Sequence, residues 1–319
     1  MVAAPHTPVF LDRVLELLAT APQGAILDGT LGAAGHASAI VAARVAAHGR
    51  AHLVGIDRDP TAHVLARAVL GEPSDSVRID LATVRFDAAP RVLDELGIER
   101  LAGFLLDLGI SSMHVDQPDR GFSYRHEGPL DMRMGPDADR TAADVVNGYP
   151  PQELTRVLRS LGEEKHAARI VRAIVAARPI GSTTQLADIV RDAVPAAARR
   201  TGGHPATKTF QAIRIEVNGE LVALEQVLPV LIRRLAPDGV GIVLSYHSLE
   251  DRIVKRAFVD AARGCICPPD LPVCACDRVP LVHLVTKRPQ RPDADEVARN
   301  PRASAGRLRA VVRLAEDAP

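Results

Sequence analysis

The sequence has no tryptophan, and aromatic residues make up only 3% of its 319 residues. Any stacking on a nucleic-acid base must therefore rely on very few side chains.

Lysine plus arginine and aspartate plus glutamate both total 39, so no excess of one charge indicates a nucleic-acid partner. A local basic surface is still compatible with this balance. No apolar run approaches the roughly 18–20 residues that cross a bilayer, so we predict no membrane association.

Cysteine is scarce as well, and its four copies all lie between residues 265 and 276. This confinement argues against a disulfide framework distributed over the fold. The first residues lack the basic segment before an apolar core that is typical of a secretory signal. We therefore expect a cytoplasmic protein. A hydrophobic fraction of 47% is enough for one large domain or a domain with a sizeable insertion.

Strand-like and helix-like segments alternate in residues 1–109, where "AILD", "AHLVGID", "VRID" and "LAGFLLDLG" are the strands. This alternation predicts an α/β fold with a parallel sheet covered on both faces. Residues 110–205 form a largely helical insertion that interrupts the pattern, and the core resumes over residues 206–319. There we predict one long helix, "KTFQAIRIEVNGELVALEQVLPVLIRRLAP", and a closing antiparallel pair of strands, "LVHLVTK" and "LRAVVRLAE".

A glycine-rich turn, "ILDGTLGAAGH", follows the first strand. Gly29, Gly32 and Gly35 have the spacing G-x-x-G-x-x-G, which differs from the G-x-G-x-x-G of dinucleotide sites. The Lys-Ser/Thr pair of a P-loop is absent. Asp28, directly before Gly29, would repel a phosphate and suits a ligand with a cationic end. The alternative is that the glycines only allow a tight turn and close helix packing.

Two further acids end later strands. Asp57 ends "AHLVGID", where a carboxylate can accept hydrogen bonds from a ribose diol, and Asp107 ends "FLLD". Together with the turn, these strand ends suit S-adenosylmethionine, which carries adenosine without phosphates, a sulfonium and an amino acid. We therefore predict S-adenosylmethionine as the cofactor, held in part by Asp28, Gly29 and Gly32.

Longer motifs distributed from His6 to Leu314 give the sequence a family resemblance. It resembles the bacterial 16S ribosomal RNA (cytosine-N4)-methyltransferases in the motifs "HTPVFLDRVLELL", "DGTLGAAGH", "GIDRDP", "LLDLGISSMHVDQPDRGFSYRHEGPLDMRM", "GEEKHAARIVRAIV", "HPATKTFQAIRIEVNGEL", "SYHSLEDRIVKRAF" and "NPRASAGRLRAV". The resemblance implies a Rossmann-like methyltransferase core with an inserted helical domain for substrate recognition. It also implies methyl transfer to the exocyclic N4 of one decoding-centre cytosine, position 1402 of 16S rRNA, within the small ribosomal subunit.

The resemblance also assigns cofactor contacts residue by residue. Two residues depart from the family pattern: Ala34 replaces a common glycine, and His114 stands where many members have glutamine. A contact made through the backbone would let alanine substitute, with some loss of backbone freedom. The implied contacts are Ala34, Gly35, His36 and His114, together with Asp57 for the ribose, Phe86 for the adenine and Asp107 at the ligand-facing strand end.

A cytosine amine is a weak nucleophile because its lone pair is conjugated into the ring. An enzyme can accept hydrogen bonds from this amine and remove a proton during or after methyl transfer. The candidate acceptors are Asp107, Asp131, Ser245 and His247, and we expect Asp107 or Asp131 to contact the amine.

Structural alternatives stay open for two of these candidates. Asp131 can instead pair with Arg133 or Arg125 and order its loop. His247 can belong, with Glu250, to the cap of the next helix, for which Ser248 is the predicted N-cap.

A few aromatic and basic side chains are candidates for RNA contact. Tyr124 and Tyr246 are candidates for stacking on a flipped base, whereas Phe122 is expected in the core. The sequence leaves the oligomeric state open between a monomer and a homodimer. Candidate phosphate contacts are Arg199, Arg200, Lys208, Lys255, Arg256 and Arg288.

The motif "CICPPDLPVCAC" contains Cys265, Cys267, Cys274 and Cys276 as two C-x-C pairs. Four thiolates can hold tetrahedral zinc, but structural zinc sites commonly use C-x2–4-C spacing. This difference favours reduced thiols in a surface loop, with no metal, and leaves zinc as the alternative.

Two other functions compete with RNA methylation. An NAD-dependent dehydrogenase is disfavoured by the glycine spacing and by Asp28. A non-catalytic RNA-binding module has no need for the glycine turn together with Asp57 and Asp107.

Overall fold

The computed structural model describes residues 8–199, 203–267, 275–276 and 278–315. A seven-stranded sheet, of order β3-β2-β1-β4-β5-β7-β6, consists of β1 (Ala25–Asp28), β2 (Ala51–Asp57), β3 (Val77–Thr83), β4 (Leu101–Asp107), β5 (Leu235–Ser245), β6 (Val282–Leu284) and β7 (Arg307–Arg313). Strands β1 to β5 pair in parallel, whereas β7 is antiparallel to both of its neighbours. The predicted α/β class and the antiparallel closing pair are confirmed.

Helices connect these strands and also form a separate unit between β4 and β5. They are α1 (Leu11–Leu18), α2 (Gly35–His48), α3 (Pro60–Leu70), α4 (Ala89–Glu95), α5 (Ser112–Asp116), α6 (Pro151–Gly162), α7 (Ala167–Ala177), α8 (Thr183–Ala193), α9 (Ala196–Arg199), α10 (Thr207–Asn218), α11 (Glu220–Arg234), α12 (Ser248–Ala262) and α13 (Ala294–Arg299). No helix within the described residues is both long and apolar enough to cross a membrane.

The central strands are buried on both faces, which explains why they are apolar throughout. In β4, Phe104 and Leu106 belong to the cluster that contains α4, α11 and α12, whereas Ala102 and Leu105 belong to the cluster that contains α1. Successive side chains of a strand point to opposite faces, so a sheet covered by helices on both faces needs apolar residues at every position.

The chain divides into two compact units. The sheet unit comprises Met1–Gly109 and Leu221–Pro319, and the helical unit comprises Ile110–Glu220. The helical unit thus extends past the predicted end at residue 205, because α10 packs against α6. Gly162 makes this close packing possible, since a Cβ there would lie 2.6 Å from the carbonyl oxygen of Lys208.

The prediction of one long helix after Lys208 is wrong. The helix breaks at Gly219, which adopts φ 63° and ends α10, and α11 begins at Glu220. Glycine favours this left-handed conformation because it has no Cβ to clash with the backbone. The break coincides with the boundary between the two units.

Candidate active site

Four candidate residues lie at one edge of the sheet because each ends a strand of the parallel set. Asp28, Asp57, Asp107 and Ser245 are the last residues of β1, β2, β4 and β5. The carboxyl ends of parallel strands form the usual ligand-binding edge of such sheets. The sheet unit therefore concentrates three carboxylates at this edge.

The glycine-rich turn between β1 and α2 is hydrogen-bonded to the ends of the neighbouring strands β4 and β2. The N–H of Gly29 donates to the carbonyl of Leu105 at 3.0 Å, and the N–H of Leu31 donates to that of Ile56 at 3.0 Å. Gly29 is also needed for packing, because a Cβ there would lie 2.5 Å from Cδ2 of Leu106. The half-buried Phe86 lies on the same side, with its Cβ 3.6 Å from that position.

Two residues of this turn adopt left-handed backbone conformations. Gly32 has φ 50°, and Ala34, the N-cap of α2, has φ 60°. A left-handed alanine costs about 1 kcal/mol, which is the physical reason that glycine suits this position. Ala34 is fully buried, and its backbone N–H donates to the carbonyl of Leu31 at 2.8 Å. Gly35 then starts α2.

Asp57 ties the turn to β2. Its Oδ2 accepts a hydrogen bond from the N–H of Gly32 at 2.8 Å, and its Oδ1 accepts one from the N–H of Asp59 at 2.9 Å. The carboxylate is thereby held in one orientation beside the glycine turn.

Asp28 and His36 are both buried within this edge. Oδ1 of Asp28 accepts the N–H of Thr30 at 3.1 Å, and burial raises the pKa of Asp28 to about 6. Nε2 of His36 lies 2.9 Å from the carbonyl oxygen of Val9 and therefore carries a proton. Burial lowers the pKa of His36, so its Nδ1 is an unprotonated acceptor at neutral pH, 3.7 Å from Oδ2 of Asp107.

Asp107 is held by groups from two adjacent segments. Its Oδ1 accepts a hydrogen bond from the Tyr246 hydroxyl at 2.8 Å, and its backbone N–H donates to Oγ1 of Thr30 at 2.6 Å. Burial raises the pKa of Asp107 to about 7; the Tyr246 hydrogen bond opposes this rise, and the charge of Glu250 adds to it. The pKa of Tyr246 is itself raised well above its usual value by burial, so this hydroxyl remains a donor.

The segment after β5 is organised by a capping box at the start of α12. The N–H groups of Tyr246 and His247 donate to Oε2 of Glu250, and Nδ1 of His247 accepts the N–H of Glu250 at 3.4 Å. The N-cap is thus His247, not the predicted Ser248. This cap also positions Tyr246, because its backbone N–H donates to Glu250 at 2.8 Å.

The structure places Ser245 and His247 in structural contacts. The Ser245 hydroxyl is directed toward β7, where it donates to the carbonyl of Arg307 at 3.5 Å. Nε2 of His247 lies 3.0 Å from Oε1 of Glu250 within the cap. Three of the four candidate acceptors lie in the sheet unit: Asp107, Ser245 and His247. Ser245 contacts a neighbouring strand and His247 belongs to the helix cap, whereas the Asp107 carboxyl does neither.

Asp131 lies in the helical unit and forms a bidentate ion pair with Arg133. Oδ1 accepts both Nε–H and the backbone N–H of Arg133 at 2.9 Å, and Oδ2 accepts Nη2–H at 2.7 Å. The Arg133 hydrogen bond lowers the pKa of Asp131. The predicted ion pair of Asp131 is thus present, and its partner is Arg133.

The other candidates of the helical unit are packed against its own side chains. His114 is buried, with its ring 5.0 Å from that of Phe122, which lies in the core as expected. The Tyr124 ring stacks on His204 at 4.5 Å, with 11° between the ring planes. Arg200 and Cys274 lie outside the described residues, as does the side chain of Arg199.

Sequence reasoning missed two organising residues. The sequence makes Tyr246 a candidate for base stacking but does not predict the hydrogen bond from its hydroxyl to Asp107. The order of strands β4 and β5, which places their ends side by side, is the signal that could have indicated this bond. Asn218 is 1% exposed and fixes the loop that carries Asp131, since it accepts the N–H of Met134 and donates to the carbonyl of Met132. Met132 has φ 59°, a strained conformation for a residue other than glycine.

Comparison with known proteins identifies the family. A profile described as the MraW methylase family matches residues 3–314. "Ribosomal RNA small subunit methyltransferase H" of Thermobifida fusca is 52% identical, over 98% of this chain and 95% of the relative. The protein of that name from Heliobacterium modesticaldum is 47% identical, over 97% and 98% of the two chains. These matches exclude the dehydrogenase alternative. The chain belongs to the MraW methylase family and is an S-adenosylmethionine-dependent methyltransferase.

Proposed function

We propose that this chain methylates the exocyclic N4 of one cytosine in the 16S RNA of the small ribosomal subunit. The names of the relatives indicate RNA of the small ribosomal subunit as the substrate, and the motif resemblance indicates a cytosine amine in the decoding centre. The observation that carries the chemistry is the Asp107 carboxyl, which the Tyr246 hydroxyl holds at 2.8 Å at the ligand-binding edge.

The residues at this edge fit S-adenosylmethionine better than a phosphate-bearing nucleotide. Asp28, Asp57 and Asp107 contribute negative charge, which favours a cofactor with a sulfonium and an ammonium group. We propose that the backbone of Ala34, Gly35 and His36, the Asp57 carboxylate and the Phe86 ring hold the cofactor, as the resemblance implies. When bound, the cofactor supplies the electrophilic methyl group.

Asp107 is suited to activate the cytosine amine. Its carboxylate can accept a hydrogen bond from the amine, which turns the nitrogen lone pair out of conjugation with the ring. A pKa of about 7 lets the same group take the proton that the methylated amine releases, because a general base works best near the operating pH. The neutral Nδ1 of His36, 3.7 Å away, adds a second acceptor without adding positive charge.

Asp131 is less suited to this step. The Arg133 guanidinium occupies both of its oxygens and lowers its pKa, which weakens it as a base. We propose that Asp131 shapes the loop 130–134 of the helical unit and that this unit recognises the substrate. Asp131 then contributes to the affinity for the substrate rather than to proton transfer.

Methyl transfer to RNA tests this assignment. Tritium transfer from labelled S-adenosylmethionine is measured with 16S rRNA, both naked and within the small subunit, and the modified nucleotide is mapped in cells with and without the protein. We expect Asp107→Asn to reduce kcat by at least about 100-fold while cofactor binding by calorimetry persists. Asp131→Asn should mainly raise KM for RNA. Wild-type turnover in Asp107→Asn, or methylation at a carbon or a ribose, would contradict the proposal.

Contact with RNA phosphates predicts a steep loss of affinity with salt. Lys255, Arg256 and Arg288 are exposed cations of the sheet unit, and Lys208 is an exposed cation of the helical unit. Each phosphate contact contributes about −0.9 to the slope of log affinity against log salt for a duplex, and about −0.7 for a single strand. Replacing Lys255 and Arg256 together by alanine should reduce the slope, and a flat salt dependence of the wild-type chain argues against these contacts.

We further propose that the reaction takes place in the cytoplasm on RNA assembled with ribosomal proteins. A higher kcat/KM on small subunits than on naked 16S rRNA is the expected result. Sedimentation of the purified chain distinguishes a monomer from a homodimer.

A further inference from the structure

Three cysteine sulfurs converge between α12 and β6, and none of them belongs to the candidate active site. The Sγ atoms of Cys265, Cys267 and Cys276 all lie within 4.8 Å of one another. Cys267 and Cys276 are half-buried, and Cys265 is exposed. No step of the proposed methyl transfer uses any of these thiols.

The distance between two of these sulfurs matches a shared metal ion. Sγ of Cys265 and Sγ of Cys276 are 3.8 Å apart. In a tetrahedral site with zinc–sulfur bonds of about 2.3 Å, two sulfurs are about 3.8 Å apart. A disulfide would bring the sulfurs to about 2.05 Å. The observed separation is compatible with two thiolate ligands on one ion and is far too long for a disulfide.

Backbone N–H groups point at each of the three sulfurs. Ile266 N–H donates to Sγ of Cys276 at 3.5 Å, Cys267 N–H to Sγ of Cys265 at 3.4 Å, and Ala275 N–H to Sγ of Cys267 at 3.4 Å. Hydrogen bonds of this kind, made to the ligand atoms of a metal site, orient those atoms around the ion. The thiolate is the form of cysteine that binds metals.

The chain after the sulfurs is fastened to α12, and the described apolar residue beside them is largely exposed. Leu281 N–H donates to the carbonyl of Ala261 at 2.8 Å, and Nη2 of Arg278 lies 2.9 Å from Oδ1 of Asp260. Ile266, between the first two cysteines, is 52% exposed. Small segments that cannot bury an apolar core are commonly held by a disulfide or a metal ion.

We propose that Cys265, Cys267 and Cys276 bind one structural zinc ion, which links Cys265 and Cys267 to Cys276. Each ligand loses its thiol proton to solvent when the metal binds, so no redox change is involved. The sequence alone favours reduced thiols because of the C-x-C spacing, whereas the sulfur separations and the N–H donors favour the metal. These residues supply three of the four positions of a tetrahedral site. Cys274 lies outside the described residues, and the tests below do not depend on it.

Metal content of the full-length chain tests the proposal without any activity assay. The chain is purified under reducing conditions without chelators, and zinc is measured by mass spectrometry. We expect about one zinc ion per chain, and at least a tenfold lower content in Cys276→Ser and Cys265→Ser. The matched control is Ile266→Ser, which changes an exposed neighbour, keeps the backbone donor and should keep the metal.

Cobalt substitution of the wild-type chain gives a readout that does not depend on how the variants fold. One equivalent of Co²⁺ added to the metal-free chain should produce thiolate-to-cobalt charge-transfer bands and the visible bands of a tetrahedral ion. Zinc below a tenth of an equivalent together with no cobalt bands would overturn the proposal. Equal loss of zinc in Ile266→Ser and Cys276→Ser, or disulfides found by thiol titration of the chain as purified, would overturn it too.

Discussion

Replacing Asp107 with asparagine should stabilise the fold at alkaline pH although it abolishes the proposed chemistry. The folded-state pKa of Asp107 is about 7, above the ordinary value of 3.8, and burial is the main cause. Between these two values the folded chain binds more protons than the unfolded chain, so stability falls as pH rises. The charged Asp107 therefore lowers the free energy of unfolding by its full amount above about pH 7 and not at all below about pH 4.

The size of the effect follows from the pKa and the exposure of the side chain. One pKa unit corresponds to ~1.36 kcal/mol, so a rise from 3.8 to about 7 corresponds to at most ~4 kcal/mol. The side chain is 25% exposed, and water relieves part of this cost. We expect Asp107→Asn to raise the free energy of unfolding by ~2 kcal/mol at about pH 8.5. Asparagine keeps the shape, and its Oδ1 can still accept the Tyr246 hydroxyl.

Urea unfolding of the ligand-free chain at about pH 5 and about pH 8.5 measures this difference. Asp75→Asn is the matched control, because Asp75 is an exposed acid of the same unit. The gain in Asp107→Asn should be clearly larger at the higher pH, whereas Asp75→Asn should change little at either. A variant that is less stable than wild type at about pH 8.5, or equally shifted at both pH values, would refute the assigned pKa.

Three further predictions concern residues that organise the two units. Tyr246→Phe removes the hydrogen bond that lowers the pKa of Asp107, so the acidic limb of the kcat–pH profile should move up by as much as about one pH unit; an unmoved limb contradicts the pairing. Gly121→Ala should cost ~3 kcal/mol or more in urea unfolding, because Gly121 has φ 74° and a Cβ would lie 2.1 Å from the Pro129 carbonyl oxygen; a loss below ~1 kcal/mol refutes the clash. Asn218→Ala leaves buried backbone groups without partners and should cost ~2–4 kcal/mol, with faster amide exchange in the loop 130–134; unchanged exchange there counts against its organising role.

The sequence by itself determined the α/β class, the strand order along the chain and the acids at the strand ends. These features are local: a strand buried on both faces must be apolar throughout, and Asp28, Asp57 and Asp107 end such runs. The family resemblance adds that Ala34 stands where glycine is common, and its φ of 60° gives the physical reason.

The tertiary structure decided which side chains meet. Tyr246 and Asp107 are far apart in the chain and are joined because β4 and β5 are neighbours. Arg133 rather than Arg125 pairs with Asp131, since it is Arg133 that reaches both carboxylate oxygens. The sequence places the cysteines in one segment, but only the fold gives the separation of their sulfurs. Side-chain directions and long-range pairing depend on packing, which local periodicity does not contain.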